Sequence, residues 1–196
     1  NGHDIAGLSS KHIAAFQAPG SVEMDFVFTV CDTAAAEECP PWPGQPVTGQ
    51  PAQSAYANDE ARVSRDGLLY NYAAIQDPRG LCPQGFRVPT DADWAKLEAT
   101  LGKDVAATRM KTRQYWPATE NGPGNGTDDV GFGGLPAGFR TQAGDFFLGD
   151  RVGYFWSLTE RTATTTTAHM LFDYDAKLFR IEYDKAMGMS VRCIKA

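Results

Sequence analysis

What this sequence lacks narrows its function first. No run of about 18 apolar residues occurs, so no segment reads as a membrane-crossing helix. Basic residues are outnumbered, 18 Lys and Arg against 24 Asp and Glu, for a net charge of −6. A protein that tracks nucleic-acid phosphates needs a basic face; this balance argues against that class, and although it leaves room for a local basic patch, Lys and Arg are scattered. Histidine is scarce: His3, His12 and His169 are the whole supply. With four cysteines, Cys31, Cys39, Cys82 and Cys193, they lie too far apart in sequence for a zinc-site spacing. A Ser-His-Asp or Cys-His arrangement beyond the first fifty residues would depend on His169 alone, and the residue reads instead as a satisfied strand histidine. The opening NGHDIAGLSS has neither the basic start nor the apolar stretch of a secretory leader, which says little about export.

What is present is an ordinary globular composition, 42% hydrophobic and 21% charged, with 20 glycines and 11% aromatic residues. Its 196 residues suit one domain with a smaller appendage. Glycines crowd residues 122–153, which predicts a loop-rich fold with short strands and few helices. Residues 1–49 read as an appendage. KHIAAFQ (11–17) is a helical segment, MDFVFTV (24–30) a strand candidate, and the proline-dense 40–53 a linker.

Residues 50–196 read as the main domain. LLYNYAAI (68–75) is a strand candidate. The clearest helix spans residues 91–101. Thr90 suits its N-cap, with Asp91 and Asp93 in the first turn, Trp94, Leu97 and Leu101 on one face, and Gly102 as the stop. A shorter helix covers 105–111. LPAGFR, DFFLGDR, VGYFWSLT, AHMLFDY, KLFRIEY and MSVRCIKA read as strands, and TATTTT (162–167) as a polar loop or an edge strand. Tyr154, Phe155 and Trp156 could form a glycan platform, but such a run is better read as the core of a central strand. Asn121, Asn125, Asp128 and Asp129 could offer oxygens to a hard cation such as calcium, although a plain Asn/Asp turn cluster is the favoured reading, so no cofactor is expected.

Three segments carry a family resemblance: GLLYNYAAIQDPRGLCPQGFRVPTDADWAKLEATLG, then GFGGLPAGFR, then VGYFWSLTE with KAMGMSVRCIKA. In order and spacing they resemble the Fibrobacter succinogenes major paralogous domain over about residues 50–196. The family's usual upstream G-x-x-W-x-x-x-N-L strand is not found. The resemblance implies an α+β, C-type-lectin-like fold of short twisted antiparallel strands, one main helix and long irregular loops. It also implies a disulfide between Cys82 and Cys193, although the residues alone allow two buried thiols. The sugar-site motifs of calcium-dependent lectins, Glu-Pro-Asn, Gln-Pro-Asp and Trp-Asn-Asp, do not occur. Oxidases that share the broad fold use paired reactive cysteines, which a structural role for Cys82 and Cys193 would preclude.

Function then follows by implication. Such domains bind ligands through their last strands and loops. In members that serve as variable proteins of diversity-generating retroelements, the variable region corresponds to residues 159–184. Here that stretch offers Arg161, His169, Asp173, Tyr174, Asp175, Phe179, Arg180, Glu182, Tyr183 and Asp184. The expectation is a non-catalytic domain at a cell or phage surface that recognises a protein or glycan. An ordinary solvated strand face is the alternative for these residues, and a structural module of an envelope lipoprotein the alternative for the domain.

Residues 1–48 are similar to part of an arsenate reductase of the low-molecular-weight-phosphatase type. That chemistry needs a C-x5-R phosphate loop. The residue six positions on is Glu37 after Cys31, Gln45 after Cys39 and Val88 after Cys82, so the oxyanion cradle is missing. A thiol enzyme is therefore an inactive alternative.

Overall fold

A computed structural model describes residues 50–120 and 124–196. The helix and strand expected at 11–17 and 24–30, the whole 1–49 appendage, and Asn121 lie outside the described residues. The architecture is mixed α and β, with mostly short antiparallel strands, few helices and long connections. In chain order it runs β1 (Gln53–Ser54), α1 (Val63–Asp66), β2 (Leu69–Tyr70), α2 (Tyr72–Ile75), β3 (Phe86–Arg87), α3 (Asp91–Leu101), α4 (Ala106–Met110), β4 (Phe139–Arg140), β5 (Phe146–Phe147), β6 (Val152–Glu160), β7 (Thr165–Phe172), β8 (Phe179–Asp184) and β9 (Ile194–Lys195).

The longest strands form one antiparallel sheet in the order β6–β7–β8. Side chains alternate across it, which divides the core in two. Tyr154, Trp156 and Met170 face one cluster, with Tyr70, Tyr72 and Met189. Phe155 and Leu171 face the other, with Trp94, Leu97 and Leu101 of α3 and Phe132. The aromatic trio is thus core, each ring 3% exposed or less. Strands β3 and β9 pair separately. Beside them, Cys82 and Cys193 form a disulfide with Cα atoms 5.8 Å apart. The bridge joins the segment leading into α3 to the end of the chain.

Three expectations need correction. LLYNYAAI is not one strand. Asn71 stops β2 and caps α2, its side chain accepting from Ala74 N at 3.0 Å. Asparagine competes for backbone hydrogen bonds in this way, which favours a cap over a ladder. TATTTT is not simply a loop, because Thr165, Thr166 and Thr167 begin β7, the middle strand. Thr166 is fully buried, and its hydroxyl donates to the Thr159 carbonyl at 2.7 Å, so its polarity costs little there. MSVRCIKA is a strand only at β9; Met189 and Ser190 make isolated bridges to Tyr70 and Phe155. Between those bridges and β9, Arg192 turns inward and donates to the Gly133 carbonyl at 2.7 Å.

Candidate functional site

The start of α3 is fixed tightly. Thr90 and Asp93 form a reciprocal capping box, Asp93 accepting from Thr90 N at 2.8 Å. Arg87 clamps the same carboxylate at 2.6 and 3.0 Å. This holds Asp91 at the first helical position, against the sheet. Its N–H donates to Thr159 Oγ1 at 2.9 Å, tying the helix to the end of β6.

Asp91 is the hub of the site. Its carboxylate accepts from Arg161 Nη2, from Thr167 Oγ1 at 3.2 Å and from His169 Nε2 at 3.3 Å. Arg180 Nη1 stands 3.6 Å away. Burial alone would raise the Asp91 carboxyl, but hydrogen bonds from Ser157, His169 and Thr167 outweigh it and hold the group below the usual carboxylate range.

His169 comes from β7, on the sheet face turned to α3. It is 4% exposed, and its ring stacks on Trp94 with centroids 4.5 Å apart. Burial pushes its pKa down to about 4 against the attraction of Asp91, and Arg180 and Arg161 push the same way. At neutral pH the ring is therefore uncharged. Asp91 Oδ1 can only accept, so the hydrogen sits on Nε2, and Nδ1 is a buried acceptor without a partner among the described residues.

A pocket of about 120 Å³ opens beside this group, lined by Asp91, Ala95, Glu98, His169, Leu178 and Arg180. Pockets for drug-sized ligands usually run to about 300 Å³ or more, so this one has room for a single small functional group. Its wall is acidic on α3 and basic on β8, which suits a polar or charged group.

The residues expected in the site separate by sheet face. Arg161, His169 and Arg180 converge on Asp91. Glu182 lies exposed beside them and accepts from Thr165 Oγ1. Phe179 and Tyr183 point the other way and are half-buried, Phe179 against Phe172 at 5.2 Å and Tyr183 edge-on to Tyr154 at 5.7 Å. Tyr174 is 42% exposed in the β7–β8 turn. Asp175 and Asp184 shape the two turns, accepting from Lys177 N and Ala186 N at 2.9 and 2.7 Å. Asp173 does not share the surface: it is 1% exposed and ion-paired to Arg151 Nε at 2.8 Å.

In the glycine-rich loop, Asn125 accepts from Trp116 N at 3.0 Å and Asp128 from Gly133 N at 2.9 Å, while Asp129 pairs with Arg109 at 3.1 Å. Among the described residues, no group of three or more His, Cys, Asp and Glu side chains gathers as a metal site. No helix among them is long and apolar enough to cross a membrane.

Asp91, Ala95, Glu98 and Leu178 were not legible as site residues. Asp91 reads in sequence as a first-turn acid that favours a helix dipole. Its partners lie 70 and 78 residues further along the chain, and no local pattern signals that meeting.

A family model described as the Fibrobacter succinogenes major domain matches residues 29–195. The match takes in residues 29–49, part of the stretch likened above to an arsenate reductase. No curated protein and no solved structure matches the chain.

Proposed function

The chain belongs to the Fibrobacter succinogenes major domain family, and from that premise we propose that it is a non-catalytic recognition domain with a C-type-lectin-like fold. Its ligand is a protein or glycan outside the cytoplasm, bound by the β7–β8 hairpin and the Asp91 pocket. The observation that carries the reading is the convergence of Arg161, His169 and Arg180 on Asp91 beside that pocket. Exposed Tyr174 lies in the turn of the same hairpin. Tyrosine and arginine are the residue types that most often anchor interfaces.

Support for a non-catalytic role comes from the same atoms. A histidine whose pKa lies near 4 is a weak base at neutral pH. Cys82 and Cys193 are joined to each other rather than free to attack a substrate. The disulfide also favours an oxidising compartment, hence a cell or phage surface. Residues 159–184, which hold most of these groups, are the stretch that would vary if the protein belonged to a diversity-generating retroelement. The thiol-enzyme alternative lacks its phosphate loop.

The test is a glycan-array and cell-surface binding screen of the whole chain. Wild type is expected to give discrete binders that Arg180→Ala and Tyr174→Ala both weaken. A blank screen, or binding indifferent to both substitutions, removes the reading.

A further inference from the structure

We propose that the outer edge of β8 is a self-association surface, which a second copy of this chain extends into a continuous six-stranded sheet. Strand β8 pairs with β7 on one side and is last in its sheet. Among the described residues no strand or isolated bridge occupies its other side. Such an edge presents unpaired backbone N–H and C=O groups ready to receive another strand.

The side chains say which strand. Residues 179–183 read Phe-Arg-Ile-Glu-Tyr. When two copies meet antiparallel about Ile181, Phe179 falls opposite Tyr183, Arg180 opposite Glu182, and Ile181 opposite itself. The twofold axis repeats each pair. Side-chain faces are kept in this register: Arg180 and Glu182 stay on the α3 side, and the apolar residues on the other. The pairs that flank Ile181 are of stabilising kinds, opposite charges and aromatic on aromatic.

The register is also defended. Centring the pair on Arg180 sets that cation against its own copy, and centring it on Glu182 sets carboxylate against carboxylate. Charges on an edge usually keep copies apart; here their alternation in sign penalises the neighbouring registers and favours the one centred on Ile181. The groups are available. Ile181 is 47% exposed, and the Arg180 side chain is 57% exposed with only a 3.6 Å approach to Asp91. Arg180 is common to this surface and the recognition reading, but pairing uses the strand edge and leaves Arg161 and the β7–β8 turn open on each copy, and the solution mass tests it without any ligand.

The experiment is light scattering and sedimentation of the full chain over a concentration series. A mass of twice the chain is expected. Arg180→Glu and Glu182→Arg each place like charges opposite one another twice, and each is expected to weaken the dimer about tenfold or more. Mixing the two variants sets every acid against a base, and the dimer is expected to return, which a folding defect in either variant would not produce. Circular dichroism checks that both fold. A single-chain mass at every concentration, a dimer indifferent to both substitutions, or a mixture no stronger than its components overturns the proposal.

Discussion

The His169 imidazole lies flat on the Trp94 indole, centroids 4.5 Å apart and planes 14° from parallel, while its Nε2 meets Asp91 at 3.3 Å. A ring so enclosed pays to become charged. Its folded pKa, about 4, lies below the ordinary value of 6.5. The unfolded chain therefore binds this proton first as pH falls. Stability is full above about pH 6.5 and declines between that point and pH 4, by up to about 3 kcal/mol. Urea unfolding at pH 7, 5.5 and 4 measures the decline, and His169→Gln is expected to flatten it over this window. An unchanged slope in that variant would place the acid sensitivity elsewhere.

Asp91 raises the His169 pKa, although burial dominates. Asp91→Asn removes the charge and keeps the shape. The imidazole is then expected to titrate still lower, because the two arginines that oppose its protonation remain. Proton–carbon NMR of the ring through an acid titration reads the shift. An upward movement would contradict the assigned balance of forces.

The Cys82–Cys193 bridge closes a loop with a sequence separation of 111. Chain-entropy reasoning assigns such a closure about 4–5 kcal/mol. Chemical denaturation of the Cys82→Ser, Cys193→Ser double variant is expected to show a loss of that order. A non-reduced peptide map is expected to recover both residues in one linked fragment.

Thr90→Ala removes the side-chain half of the capping box and is expected to cost about 1 kcal/mol. Asp93→Ala is expected to cost more, since it also releases Arg87. Equal losses would mean that the Arg87 contact contributes nothing.

Gly138 has φ +68°, and a Cβ placed there would stand 2.4 Å from the Phe147 carbonyl and 2.6 Å from Gly149 N. Both obstacles are backbone and cannot swing aside. Gly138→Ala is expected to lower the unfolding midpoint with a loss of several kcal/mol, well beyond a typical glycine substitution, for which about 1 kcal/mol is usual. Thermal unfolding measures it.

Helix α3 was legible because its signals are local. Thr90, Asp93, the Trp94–Leu97–Leu101 face and Gly102 all act within one short window, and all three apolar side chains are buried as their spacing requires. Strand β6 was legible from its length and its aromatic core. The short elements were not. An apolar run such as 68–75 fits helix or strand equally until the Asn71 side chain chooses. The 162–167 tract looks like a loop because sequence cannot show that the Thr166 hydroxyl will find the Thr159 carbonyl. The candidate cluster around Asp91 was half visible. Its β7 and β8 members lie in the expected C-terminal stretch. The acid that gathers them belongs to α3, where the same residue type is explained fully by helix chemistry.

The covalent link beside β3 and β9 has a mechanical consequence. Pull the chain from its last residues against a point before Cys82, and the tension crosses from sulfur to sulfur. The whole ring of chain between those two positions, β6 to β8 included, carries none of it. Load applied at those two ends is therefore borne by the covalent bridge and not by the sheet.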